Sequence, residues 1–338
     1  MENKYSVVII GAGSIGALKP YNIDSPKTKN ILTHAHAVMN NKNLELVGII
    51  DVDEMKRDWA AEKWGVSAYD SIDTLLELSN KPAVKDGIDI FVVASPTFTH
   101  HHVIKEIIEK TKPKLIICEK PFCSSLEKSE KVFSDAFELE IPIAVNYLRR
   151  YSKAIQELRE RLLSGFYGKI ISASIVYTRG LIRDGSHAVD ICRYFFGEFL
   201  QGIILNETDE EINDFSDEDL TYPVFLSYRN CKNIMFIPFD GRAYSVFDME
   251  IYTEEGKITL TEHFETIKFY PKEKEKIYGN FQSLSYKCKT KETANLKNSL
   301  VELYNNCIEY LESRVPLICN GADGLEVHQI FKELFEKL

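Results

Sequence analysis

The stretch Tyr5-Ser6-Val7-Val8-Ile9-Ile10-Gly11-Ala12-Gly13-Ser14-Ile15-Gly16 decides the fold of the N-terminal part of this chain. Its first six residues form an apolar run, which predicts a buried strand. The next six have the pattern Gly-X-Gly-X-X-Gly. The first glycine allows a tight turn, the second lets a phosphate approach the main chain, and the third lets a helix pack closely on the sheet. Free N–H groups at the helix start bind phosphate, so the pattern predicts a dinucleotide site at Gly11, Gly13, Ser14, Ile15 and Gly16.

The residues up to about 120 alternate apolar strands with helical stretches. Further strands are expected at Leu44–Asp51, Asp89–Ser95 and Lys114–Glu119. Helices are expected at His34–Asn40, Asp53–Trp64, Ile72–Leu78 and Thr99–Lys110. This alternation indicates a parallel sheet covered on both faces. We therefore predict an α/β fold in which residues 1–122 form a doubly wound, Rossmann-type domain.

From about residue 150 the pattern changes to strands separated by turn residues. A hairpin is expected from Tyr244–Tyr252 and Lys257–Thr261, around the turn at Glu255-Gly256. Two helices, Asn295–Ser313 and Gly324–Leu338, are expected near the C-terminus. Residues 123–338 are therefore predicted to form an α+β domain with a large, mostly antiparallel sheet.

An acidic residue should end the second strand about 20 residues after the glycine motif, where it binds the ribose hydroxyls. Asp51 ends that strand but follows Gly16 by 35 residues. Residues 18–33 contain two prolines and no helical period, so they are predicted to interrupt the first helix. A carboxylate at this position repels a 2′-phosphate, which favours NAD over NADP. The alternative is that Asp51 only caps the next helix, although Asp53 is better placed for that role.

The composition excludes several classes of protein. A net charge of -10 argues against broad binding to nucleic acid, and no apolar run reaches the length of about 18 residues that a membrane helix needs. The first residues lack the features of a signal peptide. Seven cysteines without a CxxC pair are typical of reduced thiols in the cytoplasm. No metal site is predicted.

Further motifs follow one another in a recognisable order. They are His34-Ala35-His36-Ala37, Ser95-Pro96-Thr97-Phe98-Thr99-His100, Cys118-Glu119-Lys120-Pro121, Asn146–Tyr151, Gly168-Lys169-Ile170, Gly185–Asp190 and Asn320–Glu326. With the glycine motif and Asp51, they resemble the Gfo/Idh/MocA family of NAD(P)-dependent oxidoreductases. In that family the first histidine follows the last glycine by three residues, whereas His34 follows Gly16 by 18. The difference of 15 residues accounts for the displaced Asp51.

The resemblance implies a hydride-transfer site. Lys120 would lie beside the nicotinamide, where an ammonium polarises a carbonyl oxygen or transfers its proton, and burial would lower its pKa. His187 would be the general acid or base, and Asp190, three residues on, either takes part or tethers the structure. The alternatives are a solvated surface lysine and an ordinary core or surface histidine. The cofactor would also contact Ser95, Pro96, Thr97, His100, Glu119 and Lys120.

The substrate implied by the resemblance is a sugar, a cyclitol or a nucleotide sugar, contacted by Asn146, Tyr147, Arg150, Arg183 and His187. One position departs from the family. Arg183 stands four residues before His187, where the family often has an aspartate, and Asp184 follows it. Arg183 therefore suggests an anionic group on the substrate, with a surface salt bridge as the alternative.

Three functions are compatible with these residues. The first is an NAD-dependent dehydrogenase or reductase that acts on CH–OH groups. The second is a non-catalytic NAD-binding regulator, although such a protein would need neither Lys120 nor His187. The third is a glycosidase that uses NAD for a transient oxidation. The resemblance also implies a homodimer or homotetramer.

Overall fold

The computed structural model describes residues 4–85, 87–205, 212–216, 218–274 and 281–338. The chain divides into two compact units. The first comprises Met1–Tyr151 with Lys297–His328, and the second comprises Ser152–Leu296 with Gln329–Leu338. Each unit is described separately below. The division into functional domains after residue 122 stays a prediction.

The first unit contains a parallel sheet with the strand order β3-β2-β1-β4-β5-β6. Its strands are β1 (Tyr5–Ile10), β2 (Leu44–Ile50), β3 (Ala68–Tyr69), β4 (Ile90–Val93), β5 (Leu115–Cys118) and β6 (Ile143–Val145). This is the strand order of dinucleotide-binding doubly wound folds, which bind ligands where the order reverses, here between β1 and β4. The predicted Rossmann architecture is therefore confirmed.

The helices follow the predicted pattern closely. They are α1 (His34–Met39), α2 (Glu54–Trp64), α3 (Ile72–Leu78), α4 (Pro82–Lys85), α5 (His100–Lys110), α6 (Leu126–Glu138), α7 (Lys153–Leu163), α8 (Gly185–Phe196), α9 (Ser299–Ser313) and α10 (Gly321–Phe335). Asp53 caps α2, because its side chain accepts a hydrogen bond from the N–H of Lys56. Asp53 rather than Asp51 is thus the cap, as its position in the sequence suggests.

The second unit contains a mixed sheet. Its strands are β7 (Ile170–Tyr177), β8 (Phe199–Ile204), β9 (Val224–Tyr228), β10 (Cys231–Pro238), β11 (Asp248–Thr253), β12 (Gly256–Thr261), β13 (Thr266–Lys274), β14 (Gln282–Leu284) and β15 (Thr290–Thr293). The order is β14-β13-β12-β11-β7-β10-β9-β8, with β15 also on β13. The neighbours β7 and β10 run parallel and the other pairs antiparallel. The predicted α+β architecture is confirmed, although the hairpin strand begins at Asp248 rather than Tyr244.

The first helix of the parallel unit is interrupted, as predicted. A short turn follows the glycine motif, and α1 begins only at His34. The N–H of His34 donates to the carbonyl of Ile15, and the N–H of Ala35 donates to that of Gly16, both at 2.9 Å. These bonds would join residues four apart if 15 residues were removed. Residues 19–33, hereafter the excursion, therefore leave a helix whose hydrogen bonding resumes in register.

Two predicted features concern exclusions. In the described ranges no helix is long and apolar enough to cross a membrane. The same residues contain no group of three or more histidine, cysteine, aspartate or glutamate side chains that could hold a metal ion. The predicted strand region 199–290 includes residues 206–211, 217 and 275–280, which lie outside the described residues.

Candidate active site

The glycine motif has the geometry that its sequence predicts. Gly11 follows β1 with φ +103°, and a Cβ added there would lie 2.5 Å from the main chain of Ala94, which follows β4. A Cβ on Gly16 would lie 1.9 Å from the carbonyl oxygen of Gly11. Larger residues would therefore disrupt both contacts. Gly13, in contrast, has no atom within 4 Å of its Cβ position, which leaves room for a ligand phosphate.

The main chain around this open space can bind an anion. The N–H groups of Gly13, Ser14, Ile15 and Gly16 donate no hydrogen bond to any residue that the structure describes. Asp51 lies beside the loop, where its Oδ2 accepts from the N–H of Ala12 at 2.7 Å and its Oδ1 from that of Asp53 at 2.9 Å. Each of these oxygens retains a lone pair for a ribose hydroxyl. The residues present therefore fit a dinucleotide.

The segment after β4 supplies the other wall of this switch point. Pro96 starts a 3₁₀ turn over Thr97–Thr99, and the Ser95 hydroxyl is 2.7 Å from that of Thr99. His100 is buried, with Nε2 2.9 Å from the carbonyl oxygen of Ser95 and Nδ1 3.1 Å from that of Pro121. The imidazole thus links the segments after β4 and β5. Its predicted contact with a cofactor stays a prediction.

The segment after β5 places a carboxylate in a buried polar network. Oε1 of Glu119 lies 2.9 Å from Nε2 of His34 and 2.6 Å from Nδ2 of Asn146. Nδ1 of His34 lies 2.9 Å from the hydroxyl of Tyr304 on α9. His34 and Tyr304 are fully buried. Four elements of the first unit therefore meet at one carboxylate oxygen.

The proton positions in this network follow from its charges. Burial raises the pKa of Glu119, but the hydrogen bonds from His34 and Asn146 and the nearby charge of Lys120 outweigh it, so that the pKa is lowered. An ionised carboxylate only accepts, so Nε2 of His34 carries a proton. Burial raises the pKa of Tyr304 well above its ordinary value, so its hydroxyl keeps the proton that it donates to a neutral imidazole. Both protein donors contact Oε1, which leaves Oε2 for another partner.

Lys120 follows this carboxylate at the carboxyl end of the strand. It is half-buried and precedes a cis peptide bond to Pro121. This is the location at which parallel sheets bind ligands. The structure therefore places the ammonium in a functional position, next to an anion.

The segment after β6 holds three predicted substrate contacts. Asn146 and Tyr147 are buried, and Asn146 binds Glu119 as described. Arg150 is buried too, and its Nη1 lies 2.9 Å from the carboxylate of Asp323. This ion pair gives Arg150 a role within the first unit. Its contact with a substrate stays a prediction.

In the second unit, helix α8 is preceded by a π-helical turn, Gly180–Asp184. The first four N–H groups of this turn are all bound by a neighbouring loop. Gly180 donates to Thr221, Leu181 to Leu220, and Ile182 and Arg183 to the two carboxylate oxygens of Asp219. The loop between β8 and β9 therefore caps the helix that carries His187.

Asp219 has the opposite titration behaviour to Glu119. Burial raises its pKa, and so does the negative charge of Asp184, although the N–H groups of Ile182 and Arg183 oppose both. Arg183 is about half exposed, and its guanidinium lies 4.2 Å from the ring centroid of Phe215. Asp184 pairs with Arg179 at 2.7 Å. The position where the family has an aspartate thus holds an arginine stacked on an aromatic ring.

His187 and Asp190 lie in the first turns of α8. His187 is half-buried and its ring meets that of Phe247 edge-on, with centroids 6.3 Å apart. Asp190 is 2% exposed. A catalytic histidine needs access to its ligand, which the partial exposure of His187 provides. The burial of Asp190 is compatible with either of its two predicted roles.

The structure thus brings together the predicted residues of the glycine loop, Asp51, Ser95–His100, Glu119–Lys120 and Asn146 in the first unit. The second unit holds Arg183, His187 and Asp190. Sequence reasoning did not find the partners of Glu119, namely His34 and Tyr304. The resemblance drew attention to His34 as a motif residue, but no local signal marks Tyr304.

Comparison with known proteins supports this description of the site. Residues 5–147 match the family model described as "Oxidoreductase family, NAD-binding Rossmann fold". The chain is 23% identical over 254 residues to glucose-6-phosphate 3-dehydrogenase of Bacillus subtilis, covering 68% of this chain and 65% of that protein. It is 26% identical over 251 residues to scyllo-inositol 2-dehydrogenase (NAD(+)) of the same organism, covering 67% and 66%. The matches thus span slightly less than two thirds of either relative.

A solved structure has the same fold over almost its whole length. It is an inositol dehydrogenase homolog from Azotobacter vinelandii in complex with NADH and myo-inositol. The TM-score is 0.71 at 16% identity, with 99% of this chain and 95% of that chain covered. The fold and the glycine site together define an oxidoreductase of the NAD-binding Rossmann class. Within that class, the chain belongs to the Gfo/Idh/MocA family.

Proposed function

We propose that this protein is an NAD-dependent dehydrogenase or reductase that transfers hydride between the nicotinamide and a hydroxyl- or keto-bearing carbon. One observation carries the proposal. An ionised Glu119 and the adjacent Lys120 stand at the carboxyl end of β5, in the sheet whose switch point carries an open glycine loop. This combines an anion-binding loop with a proton-bearing group at the ligand-binding edge of one sheet.

The residues of the first unit divide the binding of NAD between them. Bound NAD supplies the hydride acceptor or donor. The unengaged N–H groups of the glycine loop bind its pyrophosphate, and Asp51 accepts from the ribose hydroxyls. The nicotinamide half is contacted by Ser95, Pro96, Thr97, His100, Glu119 and Lys120.

Two groups move or hold the substrate proton. Nζ of Lys120 carries a proton that polarises the reacting oxygen, and the carboxylate of Glu119 stabilises this ammonium form. The imidazole of His187 takes the hydroxyl proton during oxidation and returns it during reduction. Asp190 orients His187 or tethers α8.

The substrate is a sugar, a cyclitol or a nucleotide sugar. The named relatives act on a sugar phosphate and an inositol, and the solved neighbour holds myo-inositol. Asn146, Tyr147 and Arg150 contact this substrate together with Arg183 and His187. Arg183, half exposed, recognises an anionic group on it.

An exposed apolar surface supports assembly into a homodimer or homotetramer. Ile203, Phe225 and Met235 lie side by side on neighbouring strands of the second sheet, and Ile237 shares their face. Ile203, Phe225 and Ile237 are each at least 36% exposed. Adjacent exposed apolar side chains of this kind mark association surfaces. The cysteine pattern favours a cytoplasmic location.

A screen of sugars, sugar phosphates, cyclitols and nucleotide sugars with NAD+ tests the proposal. NADH absorbance is followed at stoichiometric and at catalytic enzyme concentrations, together with product release. Accumulation of NADH over many turnovers is expected. Product release without net NADH would indicate the glycosidase, and tight NAD+ binding without turnover would indicate the regulator.

The preference between coenzymes provides an independent test. We expect NAD+ to bind more tightly than NADP+ by about tenfold or more, because the carboxylate of Asp51 would face the 2′-phosphate. Calorimetric titration with both coenzymes measures the ratio, and Asp51→Asn should reduce it. Arg57 donates to the carbonyl oxygen of Asp51 at 3.2 Å. Equal or tighter binding of NADP+ would contradict the prediction and assign the 2′-phosphate to Arg57.

A further inference from the structure

The excursion is a folded segment rather than a loose loop. Asp24 is fully buried in it and accepts hydrogen bonds from the N–H of Leu32, the hydroxyl of Thr33 and Nδ1 of His36, the last at 2.5 Å. The hydrogen bonds and the charge of His36 lower the pKa of Asp24 although burial opposes them, so the carboxylate is ionised. A buried carboxylate with this many donors holds its segment in one conformation.

The start of the excursion is held against the glycine motif. Nζ of Lys63, which is 6% exposed, donates to the carbonyl oxygen of Lys19 at 2.9 Å and to that of Ala17 at 3.3 Å. The indole N–H of Trp64 also donates to the carbonyl of Ala17, at 2.9 Å. The main chain of Lys19 is therefore fixed one turn after Ser14. In a continuous helix this position would belong to His34, which binds Glu119 instead.

The side chain of Lys19 returns to the phosphate loop. Its Nζ lies 3.2 Å from the hydroxyl of Ser14, whose N–H is one of the unengaged amides. An anion bound by these amides would lie within reach of the same ammonium. Lys63 carries a like charge close by, and the repulsion of Lys19 contributes to its lowered pKa after the larger effect of burial. An anionic ligand would relieve this repulsion.

We propose that Lys19 is a cofactor-binding residue that the excursion adds to the glycine motif, where its ammonium binds the pyrophosphate of NAD. The proposal rests on the proposed NAD site and extends it by one charged contact. It gives the excursion a function, because a helix that continued directly after Leu18 would carry no lysine at this position.

Equilibrium binding to a ligand series tests the proposal without any substrate. NAD+, ADP-ribose and adenosine are titrated by calorimetry into the wild-type protein and the Lys19→Met variant. We expect Lys19→Met to weaken NAD+ and ADP-ribose by about tenfold, the effect of one partly exposed charge-assisted hydrogen bond, and to leave adenosine unchanged. Higher ionic strength should reduce this difference. Lys19→Arg should restore most of the affinity.

Two further variants complete the test. Lys27→Met removes the same charge from an exposed position in the excursion and should bind NAD+ like the wild type. Deletion of residues 19–33 joins Leu18 to His34 in helical register and should weaken NAD+ at least as much as Lys19→Met. Unchanged affinity in Lys19→Met, or an equal loss in Lys27→Met, would overturn the inference while leaving the proposed function intact. Absence of NAD+ binding in the wild type would instead overturn the proposed function itself.

Discussion

Glu119 in the first unit and Asp219 in the second are both largely buried carboxylates that accept two hydrogen bonds, yet their pKa values move in opposite directions. Glu119 receives side-chain donors and has a cationic neighbour, Lys120. Asp219 receives peptide N–H groups and has an anionic neighbour, Asp184. Burial raises the pKa of both groups.

The difference shows that the sign of the neighbouring charge decides what a buried carboxylate does. An ionised Glu119 beside an ammonium forms part of a reaction centre that holds charge. Asp219 instead caps the N-terminal turn of the helical segment that leads into α8, at the expense of crowding a second carboxylate. The first unit therefore stores its charge where a ligand binds, and the second uses a carboxylate to fix the position of its histidine.

Replacement of Lys120 by methionine should have the largest effect on this arrangement. The change keeps the length of the side chain but removes the ammonium that polarises the reacting oxygen and stabilises the Glu119 anion. Turnover of the substrate found in the screen should fall by about 100-fold or more, whereas NADH affinity should change far less. Steady-state kinetics and NADH fluorescence titration measure the two effects.

The control for Lys120→Met is Lys128→Met, at an exposed position on α6, which should turn over normally. His187→Ala should resemble Lys120→Met. The double variant should lose less than the product of the single losses, because groups that act together are not additive. Near-normal turnover in Lys120→Met would remove the centre of the proposed mechanism.

Replacement of His34 by phenylalanine should reverse the pKa shift of Glu119. In the wild type the lowered pKa stabilises the fold above the ordinary value of 4.5, and this contribution is lost as the pH falls through the folded-state pKa. In the variant, burial should raise the pKa above 4.5, so that the fold is penalised increasingly as the pH rises. The loss in unfolding free energy should therefore grow from pH 4 to pH 8 and reach about 1–3 kcal/mol.

Urea unfolding of both proteins across this pH range measures the loss. In a Glu119→Gln background, the cost of His34→Phe should no longer depend on pH, because no carboxylate remains to titrate. A cost that is equal at pH 4 and pH 8 in the single variant would show that His34 does not control the charge of Glu119.

Replacement of Asp184 by asparagine should have the smallest effect. It removes the anion that raises the pKa of Asp219, so this pKa should move down towards its ordinary value. Wild-type stability falls as the pH rises through the raised pKa of Asp219, and in the variant this fall should shrink by less than about 1 kcal/mol. Titration of the carboxyl carbon of Asp219 by NMR measures the shift. Asp240→Asn, an exposed carboxylate paired with Arg242, should leave the midpoint unchanged, and so would Asp184→Asn if the two carboxylates did not interact.

The sequence predicted the parallel unit well because its signals are local. A glycine motif, an acid at a strand end and a Glu-Lys-Pro segment each act through the backbone within a few residues. The excursion was predictable for the same reason, since prolines interrupt a helix wherever they stand. The 15-residue displacement of Asp51 and His34 then matched the in-register return of α1.

Contacts between distant residues were not predictable. His34 is separated from Glu119 by 85 residues and from Tyr304 by 270, and no pattern in a single sequence pairs them. The π-helical turn before α8 depends in the same way on donors and acceptors from another loop, at Asp219. Arg150 suggested a substrate contact, but its pairing with Asp323 is visible only once the fold is known.

The one-sided hydrogen bonding of Glu119 gives this corner of the site a fixed polarity. His34 and Asn146 both donate to Oε1, so a glutamine at position 119 would have to turn its carbonyl oxygen towards them. Its amino group would then occupy the place of Oε2. A substitution that preserves shape would thereby replace an acceptor by a donor, and the site would come to prefer a carbonyl where it now prefers a hydroxyl.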